Sequence, residues 1–267
     1  MTASLDLVAA AAGRWRGERT PLVIGICGAQ GSGKSTLARQ LARRLEGEGA
    51  TAAVLSLDDL YLDKSARARL ARDLHPLFAV RGVPGTHDIA LGERVMDGLA
   101  AGAATRLPRF DKARDAPYPA ADWPEVTAPQ VVILEGWCVG ARPQDDAQLS
   151  QPVNDLERLH DAGGVWRRAV NDALKSRYQA LFGRIDRLVL LAAPDFGVVR
   201  TWRTQQEHGL RHRLRREGRD GRAMSDREIA GFIRYYERLT CHILAEMPGR
   251  ADLTLRLGPG RKLVTDT

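Results

Sequence analysis

The strongest constraint on the fold is an eight-residue run. Gly28-Ala29-Gln30-Gly31-Ser32-Gly33-Lys34-Ser35 fits G-x-x-x-x-G-K-[ST], and it stands between the apolar run Leu22–Cys27 and a segment, Ser35–Leu45, whose Leu37, Leu41 and Leu45 fall at helical spacing. Strand, glycine-rich loop and helix in that order make a phosphate-binding turn. The glycines let backbone N–H groups curl toward phosphate oxygens, and the helix adds the positive end of its dipole. Lys34 is placed to reach the β and γ phosphates of ATP and the Ser35 hydroxyl to ligate Mg²⁺, with Gly28, Ala29, Gln30, Gly31, Ser32, Gly33 and Thr36 completing the cradle. A mere glycine-rich turn would not call for these flanks.

Further apolar runs read as strands at Ala53–Leu57, Val131–Leu134, Leu188–Leu191 and Leu253–Leu257, with helical patterns between them. Alternation of this kind predicts an α/β fold: a three-layer P-loop NTPase sandwich with a mostly parallel sheet of about five strands and a helical lid. Residues 1–267 read as one kinase-sized domain with an acceptor-binding insertion at about 60–129 and a lid at about 200–222. The insertion is rich in Pro and Gly and carries one helical stretch, Ile89–Leu99; loops of this length inside a compact domain are usually functional. Ser225, with Glu228 three residues on, predicts a capped helix running to about Met247.

Two strand ends carry acids. Ser56-Leu57-Asp58-Asp59-Leu60-Tyr61 follows the second strand, at the sheet edge where ligands bind. Asp58 could take the proton of an attacking hydroxyl or hold an Mg²⁺-bound water; an Asx turn is the plain structural alternative, and Asp59 is equally open to it. Glu135 ends the apolar run Val131–Leu134, where a buried carboxylate needs a partner, either Mg²⁺ or a structural ion pair.

These segments, together with Arg81-Gly82-Val83-Pro84-Gly85-Thr86-His87-Asp88, Pro108-Arg109-Phe110-Asp111-Lys112, Leu134-Glu135-Gly136-Trp137-Cys138-Val139-Gly140 and Trp202-Arg203-Thr204-Gln205-Gln206-Glu207, resemble the plant-type D-glycerate 3-kinase family, relatives of phosphoribulokinase, uridine kinase and type I pantothenate kinase. R-G-x-P-G-T-H-D and P-R-F-D-K carry the likeness, which is scattered over about residues 22–257. It implies ATP-dependent phosphorylation of D-glycerate to 3-phosphoglycerate, with Lys34, Asp58, Glu135 and Arg203 catalytic, Ser35, Glu135 and Asp58 around Mg²⁺, and Asp58, Tyr61, Arg81, His87, Arg109, Asp111 and Lys112 around the acceptor. Where the family is richer in Gly and charge after P-R-F-D-K, this chain has Ala113-Arg114-Asp115-Ala116-Pro117-Tyr118-Pro119.

On chemistry alone, a guanidinium can clamp a small acid's carboxylate through two parallel hydrogen bonds, which suits Arg81, Arg109 or, as a point charge, Lys112. Each could instead make a surface ion pair. His87 has no second ligand nearby in sequence that would make it a metal site. In the lid, Arg203, Arg211 and Arg215 are candidates to neutralise the transferring phosphoryl group; Glu207 could simply pair with Arg203.

Other functions weigh against this reading: the same chemistry on a nucleoside or pantothenate-like alcohol, a nucleotide-dependent ATPase switch, or a nucleic-acid binder. No N-K-x-D follows the fourth strand, where guanine would be read. The net charge of +7 rests on 35 arginines and only five lysines, a bias that genome base composition also produces. At 6% aromatic, with no basic segment interleaved with rings, nucleic-acid stacking is not expected. Cys27, Cys138 and Cys241 form no metal or disulfide pattern. The N-terminus has its positive charges after a short apolar run, the reverse of a secretory signal, and no segment reaches the length of a membrane helix, so a cytoplasmic protein without a membrane partner is expected. The sequence leaves the oligomeric state open.

Overall fold

The structure is a computed structural model that describes residues 2–17, 19–217 and 223–264. Five strands form one sheet: β1 (Leu22–Gly28), β2 (Ala52–Ser56), β3 (Val131–Gly136), β4 (Arg187–Ala192) and β5 (Leu253–Arg256), in the spatial order β2-β3-β1-β4-β5 with every pairing parallel. β1 and β3 are buried along their whole length. Parallel strands covered on both faces demand this, which is why both read as continuous apolar runs rather than alternating ones.

The helices are α1 (Thr2–Trp15), α2 (Lys34–Gly47), α3 (Lys64–Asp73), α4 (Ile89–Ala100), α5 (Asp155–His160), α6 (Val165–Ala173), α7 (Gln179–Phe182), α8 (Phe196–Glu217) and α9 (Asp226–Glu246). Leu37, Leu41 and Leu45 of α2 join Val95 and Leu99 of α4 and Ile233 and Ile243 of α9 in one core with the strands. The predicted box at the start of α9 is present: Ser225 Oγ accepts from the Glu228 N–H at 3.3 Å, and Glu228 Oε2 accepts from the Ser225 N–H at 2.8 Å. Among the described residues no helix is long and apolar enough to cross a membrane.

Three features depart from the sequence reading. The segment 60–129 contains a second helix, α3, because Asp63 caps it by accepting from the Ala66 N–H at 2.7 Å. Of its ten residues only Arg67 is buried, so no apolar period announced it. The N-terminal run folds as α1, with Val8 and Ala12 in the main core. In the lid, α8 begins before Arg200 and runs to Glu217, and positions 218–222 lie outside the described residues.

Residues 145–182 carry buried ions that no periodicity foretold. Arg238 of α9 meets Glu157 of α5 in a two-pronged pair, Nε to Oε1 at 2.8 Å and Nη2 to Oε2 at 2.6 Å, and also donates to the Gln148 and Gln151 carbonyls. Removing one partner leaves the other charge buried without compensation. Arg238→Met should therefore lower unfolding free energy by about 3–5 kcal/mol in denaturant titration. A loss below about 1 kcal/mol would mean the pair is dispensable.

Candidate active site

The phosphate loop leaves β1 at Gly28 and enters α2 through Gly33. Gly31 and Gly33 both hold positive φ, +78° and +94°, a region open to glycine at little cost. Space forbids a side chain as well: a Cβ on Gly31 would lie 2.8 Å from Trp202 Cβ and 2.9 Å from its carbonyl carbon. Trp202, fully buried, forms a wall for the loop and donates from Nε1 to the Pro259 carbonyl at 2.6 Å. Arg261 closes the corner, donating from Nε to the Gly31 carbonyl at 2.6 Å while its guanidinium lies 5.4 Å from the Trp202 ring. Sequence reasoning missed Arg261, which stands in a short tail with no motif around it.

Within the loop, Gln30 Oε1 and Ser32 Oγ are buried without a hydrogen-bond partner. Buried polar atoms are nearly always paired, so these fit a loop shaped to be completed by phosphate. Lys34, Ser35 and Thr36 occupy the first turn of α2. Across the sheet, Glu135 is level with Ile26 on one side and Ser56 on the other. The residue is 3% exposed and Oε2 has no partner, the environment that a hard cation with oxygen ligands would satisfy.

Beyond Ser56, the turn Leu57–Leu60 presents both acids. Asp58 accepts from Lys112 Nζ at 2.5 Å and from the Tyr61 hydroxyl at 2.7 Å. Burial works to raise its pKa, but the charges of Lys112 and Lys34 and the two hydrogen bonds outweigh it and hold the carboxyl well below the usual range. Asp59 accepts from the Phe110 N–H at 3.0 Å and lies 3.5 Å from Arg109 Nη1; burial pushes its pKa up. P-R-F-D-K is thus docked on D-D by two adjacent carboxylates. Burial works against the charge on Lys112, yet the Asp58 carboxylate dominates and raises the lysine's pKa. Asp111 is turned onto its own loop, accepting from the Ala113 and Arg114 N–H groups.

His87 stacks on Tyr61 with centroids 4.7 Å apart. Its Nδ1 lies 2.6 Å from the hydroxyl of Tyr178, which sits on a widened π turn, Leu174–Tyr178, between α6 and α7. That hydroxyl also accepts from the Gly85 N–H at 3.0 Å, and which of the two groups, phenol or Nδ1, donates in their contact follows the imidazole tautomer. Nε2 is buried and has no partner. Burial lowers the His87 pKa to about 3. Gly82 is demanded by Tyr236, whose hydroxyl oxygen would lie 1.9 Å from a Cβ there. Neither tyrosine was singled out from sequence.

The arginines are differently occupied. Arg81 donates to Asp115 Oδ1 at 2.5 Å and to the Lys112 carbonyl at 3.2 Å. Arg203 pairs with Glu207 at 2.7 Å and lies over Phe232, and Arg211 donates to the Met224 carbonyl at 2.6 Å. Both α8 residues are tied along the helix or to the approach to α9. Asp58, Tyr61, Arg81, His87, Arg109 and Lys112 therefore form one contiguous cluster, with Arg203 and Arg211 engaged elsewhere.

A family model described as phosphoribulokinase / uridine kinase family matches residues 23–142. An uncharacterized kinase of Schizosaccharomyces pombe, mug58, is 35% identical over 232 residues, covering 82% of this chain and 79% of that protein. The chloroplastic D-glycerate 3-kinase of Arabidopsis thaliana is 31% identical over 263 residues; the match covers 92% of this chain and 52% of the plant protein, about half its length. Among solved structures, a D-glycerate 3-kinase from Cryptococcus neoformans superposes with a TM-score of 0.79 at 28% identity, over 99% of this chain and 96% of that one.

The buried imidazole has a pH signature. Folded His87 resists protonation down to about pH 3, whereas an unfolded histidine takes a proton near 6.5. Below that pH the unfolded state binds the extra proton, so stability present above about 6.5 is lost as pH falls toward 3. Thermal unfolding measured across this range should show the decline, and His87→Gln should flatten part of it. An identical slope in the variant would place the imidazole in water.

Proposed function

Because the chain belongs to the phosphoribulokinase and uridine kinase family, with D-glycerate 3-kinases among its homologues, we propose that it phosphorylates D-glycerate, taking the γ-phosphoryl group of ATP to give 3-phosphoglycerate. The observation that carries the reading is the Lys112–Asp58 ion pair, which brings the cationic P-R-F-D-K hairpin to the carboxylate within electrostatic reach of Lys34. A hydroxyl and a carboxylate on one small molecule match that juxtaposition of an anion for the first and cations for the second.

Gly28–Ser35 would hold the ATP phosphates through backbone N–H groups, with Lys34 as the neutralising charge. Ser35, Glu135 and Asp58 would hold Mg²⁺, which when bound supplies charge neutralisation at the phosphate oxygens. As the acceptor oxygen bonds to the γ-phosphorus, the bond to the β-phosphate oxygen breaks and ADP leaves. Asp58 orients the hydroxyl and takes its proton late. Its depressed pKa makes it a weak base, yet phosphoryl transfer through a loose transition state asks for positioning more than for early deprotonation. His87, held neutral by burial with Nε2 unpartnered, is suited to hydrogen-bond the acceptor's hydroxyl end without adding charge. Arg81 is the candidate for the acceptor's carboxylate.

The first test is ADP release with a panel of small acceptors. D-glycerate should give the highest kcat/KM, and glycerol, which lacks the carboxylate, should fall about 10- to 150-fold below it, the value of one charge-assisted contact. Equal use of both would drop the glycerate assignment in favour of another alcohol, and no stimulation by any acceptor would favour an ATPase switch. The second test is Asp58→Asn, which should lower kcat by about 10² to 10⁴-fold, far more than it weakens ATP binding. Near-normal turnover would reduce Asp58 to a turn residue.

A further inference from the structure

We infer that Arg67 is a specificity-determining residue for the acceptor, forming with Arg81 a two-arginine carboxylate site that Asp115 fills from within the chain and yields when the acceptor binds. The inference rests on the carboxylate-bearing acceptor proposed above.

Arg67 comes from α3 and its side chain is 2% exposed. Its Nη1 donates to the Leu62 carbonyl at 2.6 Å and its Nε to the Ala79 carbonyl at 3.3 Å, which aims the remaining Nη2 at Asp115 Oδ2. Arg81 takes the other oxygen, Oδ1, and is steadied by the Lys112 carbonyl and the face of Phe110, 5.8 Å from the ring centroid. One carboxylate is thus gripped by two guanidinium groups, an oxygen each. Arg67 is fixed by the Leu62 and Ala79 carbonyls, outside the hairpin, so its position is organised independently of the residue it holds, while Arg81 is steadied from the hairpin itself.

A buried guanidinium requires a carboxylate at this point, because an uncompensated charge in the interior is costly. Nothing in that requirement specifies whose carboxylate it is. Asp115 is the more exposed partner, its side chain 28% exposed against 2% for Arg67, and it stands at φ +56° in the tip of the hairpin that pairs Phe110–Asp111 with Ala116–Pro117. Left-handed backbone is uncommon for a residue other than glycine, although aspartate tolerates it better than most. An acceptor carboxylate can replace it one for one, with no change in buried charge. Around the hairpin, Arg67, Arg81, Arg109 and Lys112 face Asp58, Asp59 and Asp115, one more cation than carboxylate.

The same hairpin tip carries Lys112. Both oxygens of Asp58 are engaged, one by Lys112 and one by Tyr61. A tip that moves as Asp115 is displaced would also loosen Lys112 and expose Asp58 to the hydroxyl of the arriving acid. Binding of the carboxylate and readiness of the base would then be one event, and an alcohol without a carboxylate would leave both pairs closed.

Initial rates with D-glycerate and glycerol, and thermal shift with D-glycerate added in the absence of ATP, test this in the full chain. Asp115→Asn should lower the KM for D-glycerate by about 3- to 30-fold, leave the KM for ATP unchanged, and give a larger thermal shift with D-glycerate than the wild type, since the neutral amide competes less well for two guanidinium groups. Arg67→Lys, which keeps the charge and loses the fork, should raise the KM for D-glycerate at least about tenfold with little effect on glycerol. Higher KM and lower kcat in Asp115→Asn, or an equal loss on both acceptors in Arg67→Lys, would make Asp115 a structural pin and overturn the inference while leaving D-glycerate as the substrate. A wild-type protein that neither uses nor binds a hydroxy acid would remove both readings together.

Discussion

Two neighbouring carboxylates at the end of β2 hold the candidate site together. Asp58 grips Lys112, Asp59 grips the Phe110 N–H and lies beside Arg109, and through them a long excursion of chain is returned to the sheet beside the phosphate loop. The two acids sit in sequence with opposite fates. Lysine charge keeps Asp58 ionised against its burial, whereas burial prevails at Asp59. A pair of identical side chains one residue apart thereby has its acidities moved in opposite directions by the charges and burial that reach each one.

Around that edge several polar atoms are buried without partners: Gln30 Oε1, Ser32 Oγ, Glu135 Oε2 and His87 Nε2. Each costs stability in the protein alone, and a native fold keeps few of them. These four are half of the buried unpartnered side-chain atoms among the described residues, and their grouping with the phosphate loop and the motif segments fits a surface organised before its ligands arrive, which is how phosphoryl transfer is accelerated with little covalent chemistry from the protein. The rigid side of the arrangement is the loop wall of Trp202 and Arg261, where packing and a carbonyl hydrogen bond hold Gly31. The hairpin tip at 111–115, by contrast, is held by ion pairs rather than by core packing.

The W-R-T-Q-Q-E segment shows how one motif can mix roles. Trp202 is a structural wall and Arg203 is engaged with Glu207 and Phe232. In sequence the two were indistinguishable as parts of a likeness. Only the helix geometry of α8 separates a residue facing the loop from one facing α9. The buried pair Arg238–Glu157 is a parallel case: arginines are abundant in this chain, and burial alone marks this one.

What was legible from the sequence was whatever short-range physics dictates. The phosphate loop is shaped by the conformational freedom of its own glycines and by the strand and helix on either side; the strands announced themselves because full burial in a parallel sheet requires unbroken apolar runs; the start of α9 was written in Ser225 and Glu228, three residues apart. Helix α3 stayed hidden because only one of its residues is buried, and the pairing of cations with carboxylates stayed hidden because partners such as Asp58 and Lys112 stand 54 positions apart. Charge carries no periodicity, so the chain by itself determined the scaffold and the phosphate site, while the tertiary structure alone decided which arginine meets which acid, since that choice depends on distance and burial after the sheet has closed.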